Sequence, residues 1–243
     1  MGYVIFRGIS TDTTATISSS ICSGKLTGVV ASKMPSHKKA SMRMTKYYVK
    51  GRDGALHVDE GFENFDLTVT LVLIDGSAAK RQIVNAWADG TGKLITSDDL
   101  TLAYKASVKD EIVWNRVRGN SGYYDTATII FNCEPCMVEA VDSEEEMFQT
   151  GTLNNPGTAT AFPLIKVEGV GDVSFSVNGE NIEIDGMTSG VPVFIDCQNG
   201  YVYTASGAAT MRGNIPELQL GENAITFGNN LTKLTITPHW RWV

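Results

Sequence analysis

Apolar and polar residues alternate strictly along much of this chain, and a period of two commits a segment to a strand with one buried face. Residues 66–74 place Leu67, Val69, Leu71 and Leu73 on one side and Asp66, Thr68 and Thr70 on the other. Residues 172–186 repeat the pattern, with Val173, Phe175 and Val177 opposed by Ser174 and Ser176. Asn178-Gly179 follows, supplying the two positive-φ positions of a type I′ hairpin turn. Asn199-Gly200 is a second hairpin signal and Gly228-Asn229-Asn230 a third, so the C-terminal third reads as all-β. Residues 77–88 break the rhythm. Asp75 or Ser77 can cap a helix there, Ile83, Val84 and Trp87 form its apolar stripe, and Gly90 lies just beyond its end.

The expected fold is therefore mainly β with one helix. At 243 residues the chain suits one large domain or two small ones. Three successive glutamates, Glu144 to Glu146, precede Gly151, Asn154, Asn155, Pro156 and Gly157, a composition that reads as a solvated joint. The expected domains are 1–150 and 151–243. Hydrophobic residues at 42% and charged residues at 19% exclude a disordered tail. A net charge of −7 argues against general nucleic-acid binding, which needs a basic surface. Residues 1–10 lack the pattern of a signal peptide, Phe6 stands where a myristoylation signal wants Ser or Thr, and no apolar run reaches membrane-spanning length. A soluble protein made in a cytoplasm is expected, with no membrane partner.

Fragments that suggest chemistry fail on spacing. Cys133-Glu134-Pro135-Cys136 is a lone CxxC, and His37, His57 and His239 are too scattered to complete a zinc site, so these read as reduced cysteines at a strand end, with Cys22 and Cys197 apart. Gly90-Thr91-Gly92-Lys93 follows a helix, where a phosphate loop precedes one, and Leu94 replaces its Ser/Thr. Gly169-Val170-Gly171 lacks the third glycine of a dinucleotide fingerprint. Gly119-Asn120-Ser121-Gly122 lacks the closing glycine of a nucleophile elbow. Asp98-Asp99 reads as local turn chemistry rather than an acid pair. No catalytic residue, metal or cofactor is expected, and the chain is not read as an enzyme.

One charge feature stands apart. Lys33, Lys38, Lys39, Arg43, Lys46, Lys50 and Arg52 are seven bases with no acid among them, interleaved with Tyr47 and Tyr48. Removing those seven from a net charge of −7 leaves −14 elsewhere. An arm lying on an acidic neighbouring subunit is the first reading, with Lys38, Lys39, Arg43, Tyr47 and Tyr48 as interface residues. A solvated hairpin is the second, and a nucleic-acid groove the last.

Short motifs in a fixed order carry a family resemblance. They are Gly51-Arg52-Asp53-Gly54 with Leu56, then Trp87 with Asp89-Gly90-Thr91-Gly92-Lys93-Leu94, then Phe131-Asn132-Cys133-Glu134-Pro135. Residues 162–179, Gly213 to Leu218, Leu220-Gly221-Glu222-Asn223 and residues 236–243 complete the series. In this order they resemble the distal tail proteins of long-tailed bacteriophages and related prophages. The resemblance implies a tail-tube-like N-terminal β-barrel or sandwich with a helix, and a C-terminal galectin-like antiparallel β-sandwich. It further implies a homo-hexameric ring at the virion tail tip, assembled in the bacterial host cytoplasm. Such a ring joins the tail tube protein to tail-tip hub proteins, with the tape measure and receptor-binding proteins as further partners, and leaves a DNA channel without specific nucleic-acid binding. The competing class is a carbohydrate-binding adhesin contacting cell-wall glycans, with Tyr201, Tyr203 and Trp240 as its candidate aromatics. Trp240 and Trp242 share parity near the C-terminal end and read more simply as core residues.

Overall fold

A computed structural model of the chain describes residues 3–11, 17–19, 21–33, 35, 38–74, 76–120 and 122–243. Met1, Gly2, His37, Asp75 and Ser121, on which expectations above rest, lie outside the described residues, as does the side chain of Lys33. The fold is mainly β. Cα proximity divides the chain into Met1–Val141 with Val243, and Asp142–Trp242.

In the first unit a curled sheet runs in the order Gly24–Lys25, Ile9–Ser10, Val4–Phe6, Thr91–Thr96, Asp99–Val108, Gly122–Glu139, Phe65–Ile74 and Val29–Lys33. Trp114–Gly119 pairs with the first part of Gly122–Glu139. The alternation at 67–73 is realised in full: Leu67, Val69, Leu71 and Leu73 are all buried in one core with Phe6, Trp87 and Phe131. Val4, Ile5 and Phe6 are buried without alternation because both faces are covered. Val4 and Phe6 enter the main core, while Ile5 joins a smaller one with Cys22, Ile95, Ala103 and Val138.

The helix among the described residues is Ala78–Trp87, and Ser77 caps it by accepting the Lys80 amide proton at 3.3 Å. Val84, Trp87 and Ala88 form its buried face. Ile83, expected in that stripe, is instead 58% exposed, because it sits at the edge of the arc those three define. Trp87 Nε1 donates to the carbonyls of Phe6 and Ile9, both at 3.1 Å, and its ring meets Phe6 and Phe131 edge-on. Such buried aromatics are among the costliest side chains to truncate, at ~3–5 kcal/mol.

The helix is also tied at its start by charge. Asp125, 1% exposed, receives Arg116 Nε at 2.9 Å and lies 3.6 Å from Arg81 Nε, while Arg116 Nη2 donates to the Gly76 carbonyl at 2.5 Å. The Arg116 hydrogen bond, partly offset by desolvation and aided by the charges of Arg116 and Arg81, holds the Asp125 carboxyl below its usual range.

The CxxC motif lies within the strand Gly122–Glu139 rather than at a strand end. Pairing with Asp99–Val108 breaks register between Cys133 and Met137, so Glu134, Pro135 and Cys136 form a bulge. Ahead of the bulge, Phe131 to Cys133 pair on both edges, with Leu67 to Phe65 on one side and Val108 to Ala106 on the other. Burial pushes the Cys133 thiol up to about 12, the wrong direction for a reactive thiolate.

The second unit holds two antiparallel sheets around one core. One is six-stranded: Glu145–Met147, Leu231–Thr237, Leu164–Gly169, Val193–Asp196, Tyr201–Thr204 and Gly207–Ala208. The other is four-stranded: Gly151–Asn155, Gly221–Phe227, Gly171–Val177 and Glu180–Met187. Val173, Phe175 and Val177 pack inward against Ile165, Ile195, Ile225, Leu234 and Trp240.

The three turn signals resolve differently. Asn178-Gly179, at φ 52° and 85°, makes the tight two-residue hairpin its sequence demands. Asn199-Gly200 ends a longer loop in which the Asp196 carboxylate accepts the Asn199 amide at 3.0 Å, joining a hairpin of greater span. Gly228-Asn229-Asn230 is not a hairpin: Gly221–Phe227 and Leu231–Thr237 belong to different sheets. Gly228 abuts the Ser174 backbone, whose carbonyl accepts its amide at 2.9 Å, and any Cβ there would collide.

The stretch read as a solvated joint is structured. Glu145–Met147 pairs with Leu234–Ile236, and Gly151–Asn155 with Gly221–Ile225. Asn155 is buried, holding its turn by donating to the Ala159 and Leu218 carbonyls and accepting from Gly157. Polar turn-forming residues suggest a solvent-facing stretch, but an asparagine that satisfies three backbone groups can sit inside. A larger version surrounds Asn223, 0% exposed. Its Oδ1 accepts from Gln219 N (2.7 Å) and Asn178 Nδ2 (2.8 Å), and its Nδ2 donates to Gln219 and Gly221 carbonyls (both 2.9 Å) and Leu153 O (3.3 Å).

Candidate assembly interface

The basic run folds into a ribbon of its own. Met42–Tyr47 pairs antiparallel with Leu56–Phe62, separate from the main sheet. Register places Tyr47 opposite Leu56 and Thr45 opposite Val58 on one face, and Lys46 opposite His57 and Met44 opposite Asp59 on the other. Both faces are open to solvent, with Met42, Met44, Tyr47, Leu56 and Val58 all exposed. A bulge at the base sets Glu60 and Gly61 against Arg43, which adds local twist. An isolated two-stranded ribbon is at best marginally stable in water, so this one lacks a core that it would gain against another surface.

Of the five expected interface residues, the structure sets Arg43 and Tyr47 in the ribbon and Tyr48 just past its first strand. Tyr48 is 80% exposed and begins the tip that carries Val49, Lys50 and Arg52. Lys38 and Lys39 precede the ribbon, where Lys38 Nζ donates to the Asp66 carbonyl at 2.9 Å. Lys38 thus sits beside a polar cluster rather than at the tip. Asp66 there bonds Lys109 (2.8 Å) and Asn132 (3.1 Å), and these bonds hold its carboxyl below the usual range.

The charge run is less one-sided in space than along the chain. The returning strand brings Asp59, Glu60 and Glu63 alongside. Arg43 Nη2 donates to the Glu60 carbonyl at 2.9 Å, the Thr45 hydroxyl bonds the Glu60 carboxylate, and the Ser41 hydroxyl reaches Glu63 at 3.4 Å. Positive charge survives mainly at the tip, in Lys46, Lys50 and Arg52 against Asp53. Sequence reasoning also missed the ribbon's exposed apolar residues: Leu56 and Val58 on one face and Met44 on the other, with Met42 at the base, were readable from alternation in residues 42–46 and 56–60.

Elsewhere the local readings hold. The Asp99 carboxylate accepts the Thr101 amide (2.8 Å) and hydroxyl (2.6 Å), a turn-forming role that lowers its pKa. Of the aromatics considered for sugar stacking, Trp240 is 5% exposed and belongs to the core. Tyr201 (64% exposed) and Tyr203 share one face of a strand, and Tyr203 stacks on Phe194 at 5.3 Å.

No protein-family model matches the chain, and no curated protein does. Solved structures do. The Dit protein of phage SPP1, described as a paradigm of the hub adsorption apparatus in phages infecting Gram-positive hosts, aligns over 100% of both chains with a TM-score of 0.67 and 13% identity. The chain has the SPP1 Dit fold. The phage P2 baseplate in its activated conformation also aligns, with Ca over 97% of both chains (8% identity, TM-score 0.48) and with Sr over 99% (8%, 0.45). The likeness to SPP1 Dit spans both units, so the order of a helix-bearing β unit and a β-sandwich is common to the two chains.

Proposed function

We propose that this protein is a structural hub of a phage tail tip, a homo-hexameric ring that joins the tail tube to the tail-tip or host-adsorption apparatus around a DNA channel. The observation that carries this reading is the end-to-end likeness to SPP1 Dit. The ribbon supports it physically, because a ring needs each copy to offer an arm that finds its buried surface on the next. Its partners would be the tail tube protein and a tail-tip hub protein, with the tape measure and receptor-binding proteins as further contacts, and its place the virion tail tip after assembly in the host cytoplasm. Light scattering across concentrations is the direct test. A mass of six chains supports the ring, and a monomer at every concentration sinks it.

Lys38, Lys39, Arg43, Tyr47 and Tyr48 are proposed as interface residues. Changing Lys38, Lys39 and Arg43 together to Glu should leave circular dichroism unchanged while weakening assembly at moderate salt. Intact rings under those conditions would remove these residues from the interface.

The second reading, glycan binding by the C-terminal unit, is favoured by the exposed Tyr201 and Tyr203. It expects full-length chain to bind cell-wall glycan, with Tyr201→Ala and Tyr203→Ala each lowering affinity about tenfold, the scale of one lost aromatic contact. Absence of glycan binding by the native chain would end that reading.

A further inference from the structure

We infer that the ribbon tip seats, in a second copy of this chain, in the acidic concavity at the C-terminal end of helix Ala78–Trp87. The inference rests on the ring reading above and names the surface that receives the arm.

The concavity lies in the first unit and is lined by residues that include Ala88, Asp89, Gly90, Val108, Asp110 and Ile112, with no Lys or Arg among them. Glu111 adds a third acid next to Asp110. The helix has no basic residue in its last turn, so its carbonyl end contributes further negative potential. Two cations stand nearby. Arg7 donates to the Asp89 carbonyl at 2.5 Å, and Lys109 is engaged by Asp66 at 2.8 Å. Two aliphatic side chains next to this lining along the chain are left in water by a solitary subunit: Ile83, a helical turn before Ala86, at 58% exposure, and Val113, adjacent to Ile112, at 54%.

The ribbon tip carries the matching set: Lys46, Lys50 and Arg52 for the acids, and Tyr47, Tyr48 and Val49 for the aliphatic pair. Arm-to-arm pairing would bring like charges together, which disfavours a two-fold contact. Tip and concavity are different patches on one unit. A contact between them is heterologous, repeats by rotation and can close a ring.

Charge exchange in the full-length chain tests the seat. Lys50→Glu with Arg52→Glu, and separately Asp110→Lys with Glu111→Lys, should each raise the half-assembly concentration about tenfold or more. The chain carrying all four changes should return to within about threefold of the native value, since the reversed charges again match. As a second arm, Tyr48→Cys combined with Val113→Cys and treated with a short bis-maleimide should give a ladder of covalent multimers on a denaturing gel. The four native cysteines are buried and stay out of that reaction. A native chain that never assembles overturns the ring reading and this seat with it. A native chain that assembles, with additive charge defects and no ladder, overturns the seat alone.

Discussion

Changing Arg116 to Ala should destabilise the first unit more than removing the acid itself, because it leaves a carboxylate that the fold has removed from water with only the longer Arg81 contact. Asp125 is 1% exposed, and Arg116 makes its short contact at 2.9 Å, whereas Arg81 stands off at 3.6 Å. Asp125→Ala should cost less, about 2–3 kcal/mol, since both arginine side chains are partly exposed and can turn to water. The two losses should not add in the double variant. Acid supplies an independent check. The folded carboxyl is held below its ordinary value, so its stabilisation is complete above about pH 4 and fades as pH falls through the folded pKa. In Arg116→Ala the balance reverses: desolvation then dominates, the folded pKa rises, and the gap to the native protein should narrow as pH falls. Chemical denaturation at neutral pH, near pH 4 and near pH 3 reads both effects. An Arg116→Ala penalty that stays constant with pH would refute the account.

Asn223→Ala should produce the corresponding loss in the second unit, about 2 kcal/mol, because a fully buried amide gives up all its hydrogen bonds to Gln219, Gly221, Asn178 and Leu153 at once. Asn223→Asp separates this mechanism from simple loss of volume. The carboxylate keeps the acceptor that Gln219 N–H requires but faces three carbonyl oxygens that Nδ2 formerly satisfied. It should be at least as damaging as Ala at neutral pH and should partly recover in acid, where a protonated carboxyl can donate again. Hydrogen exchange of peptides from 151–155 and 219–225 reports the affected region directly. Unchanged protection there in Asn223→Ala would refute the role given to this side chain.

Sequence reading and structure agree where a residue's environment is set by its neighbours along the chain. Leu67 to Leu73 declare a buried face by alternation, Asn178-Gly179 declare their turn by backbone sterics, and Ser77 declares a helix start by its hydroxyl. They part where the partner is distant. Gly228-Asn229-Asn230 looks the same from sequence whether it joins two strands of one sheet or carries the chain between sheets. What decides is the close approach of Ser174, far away in the chain. Asn155 and Asn223 look like surface turn residues until the carbonyls that they satisfy are known. The candidate interface divides in the same way. Tyr48 and the tip charges were legible, whereas the acids neutralising the ribbon's base come from the returning strand, and Arg43 cannot be seen to face Glu60 until the register is known.

The short strand Val4–Phe6 pairs with Ile9–Ser10 and Thr91–Thr96 and is buried throughout. Ribosomal synthesis runs from N- to C-terminus, so these apolar residues emerge about ninety positions before one of the two strands that flank them. The sheet cannot close around Val4–Phe6 until Thr91–Thr96 exists, and such non-local closure is intrinsically slow. The consequence is a matter of timing. The nascent first unit carries a sticky segment with one edge still unpaired through much of its translation, the interval in which a chaperone or a crowded polysome decides between folding and aggregation.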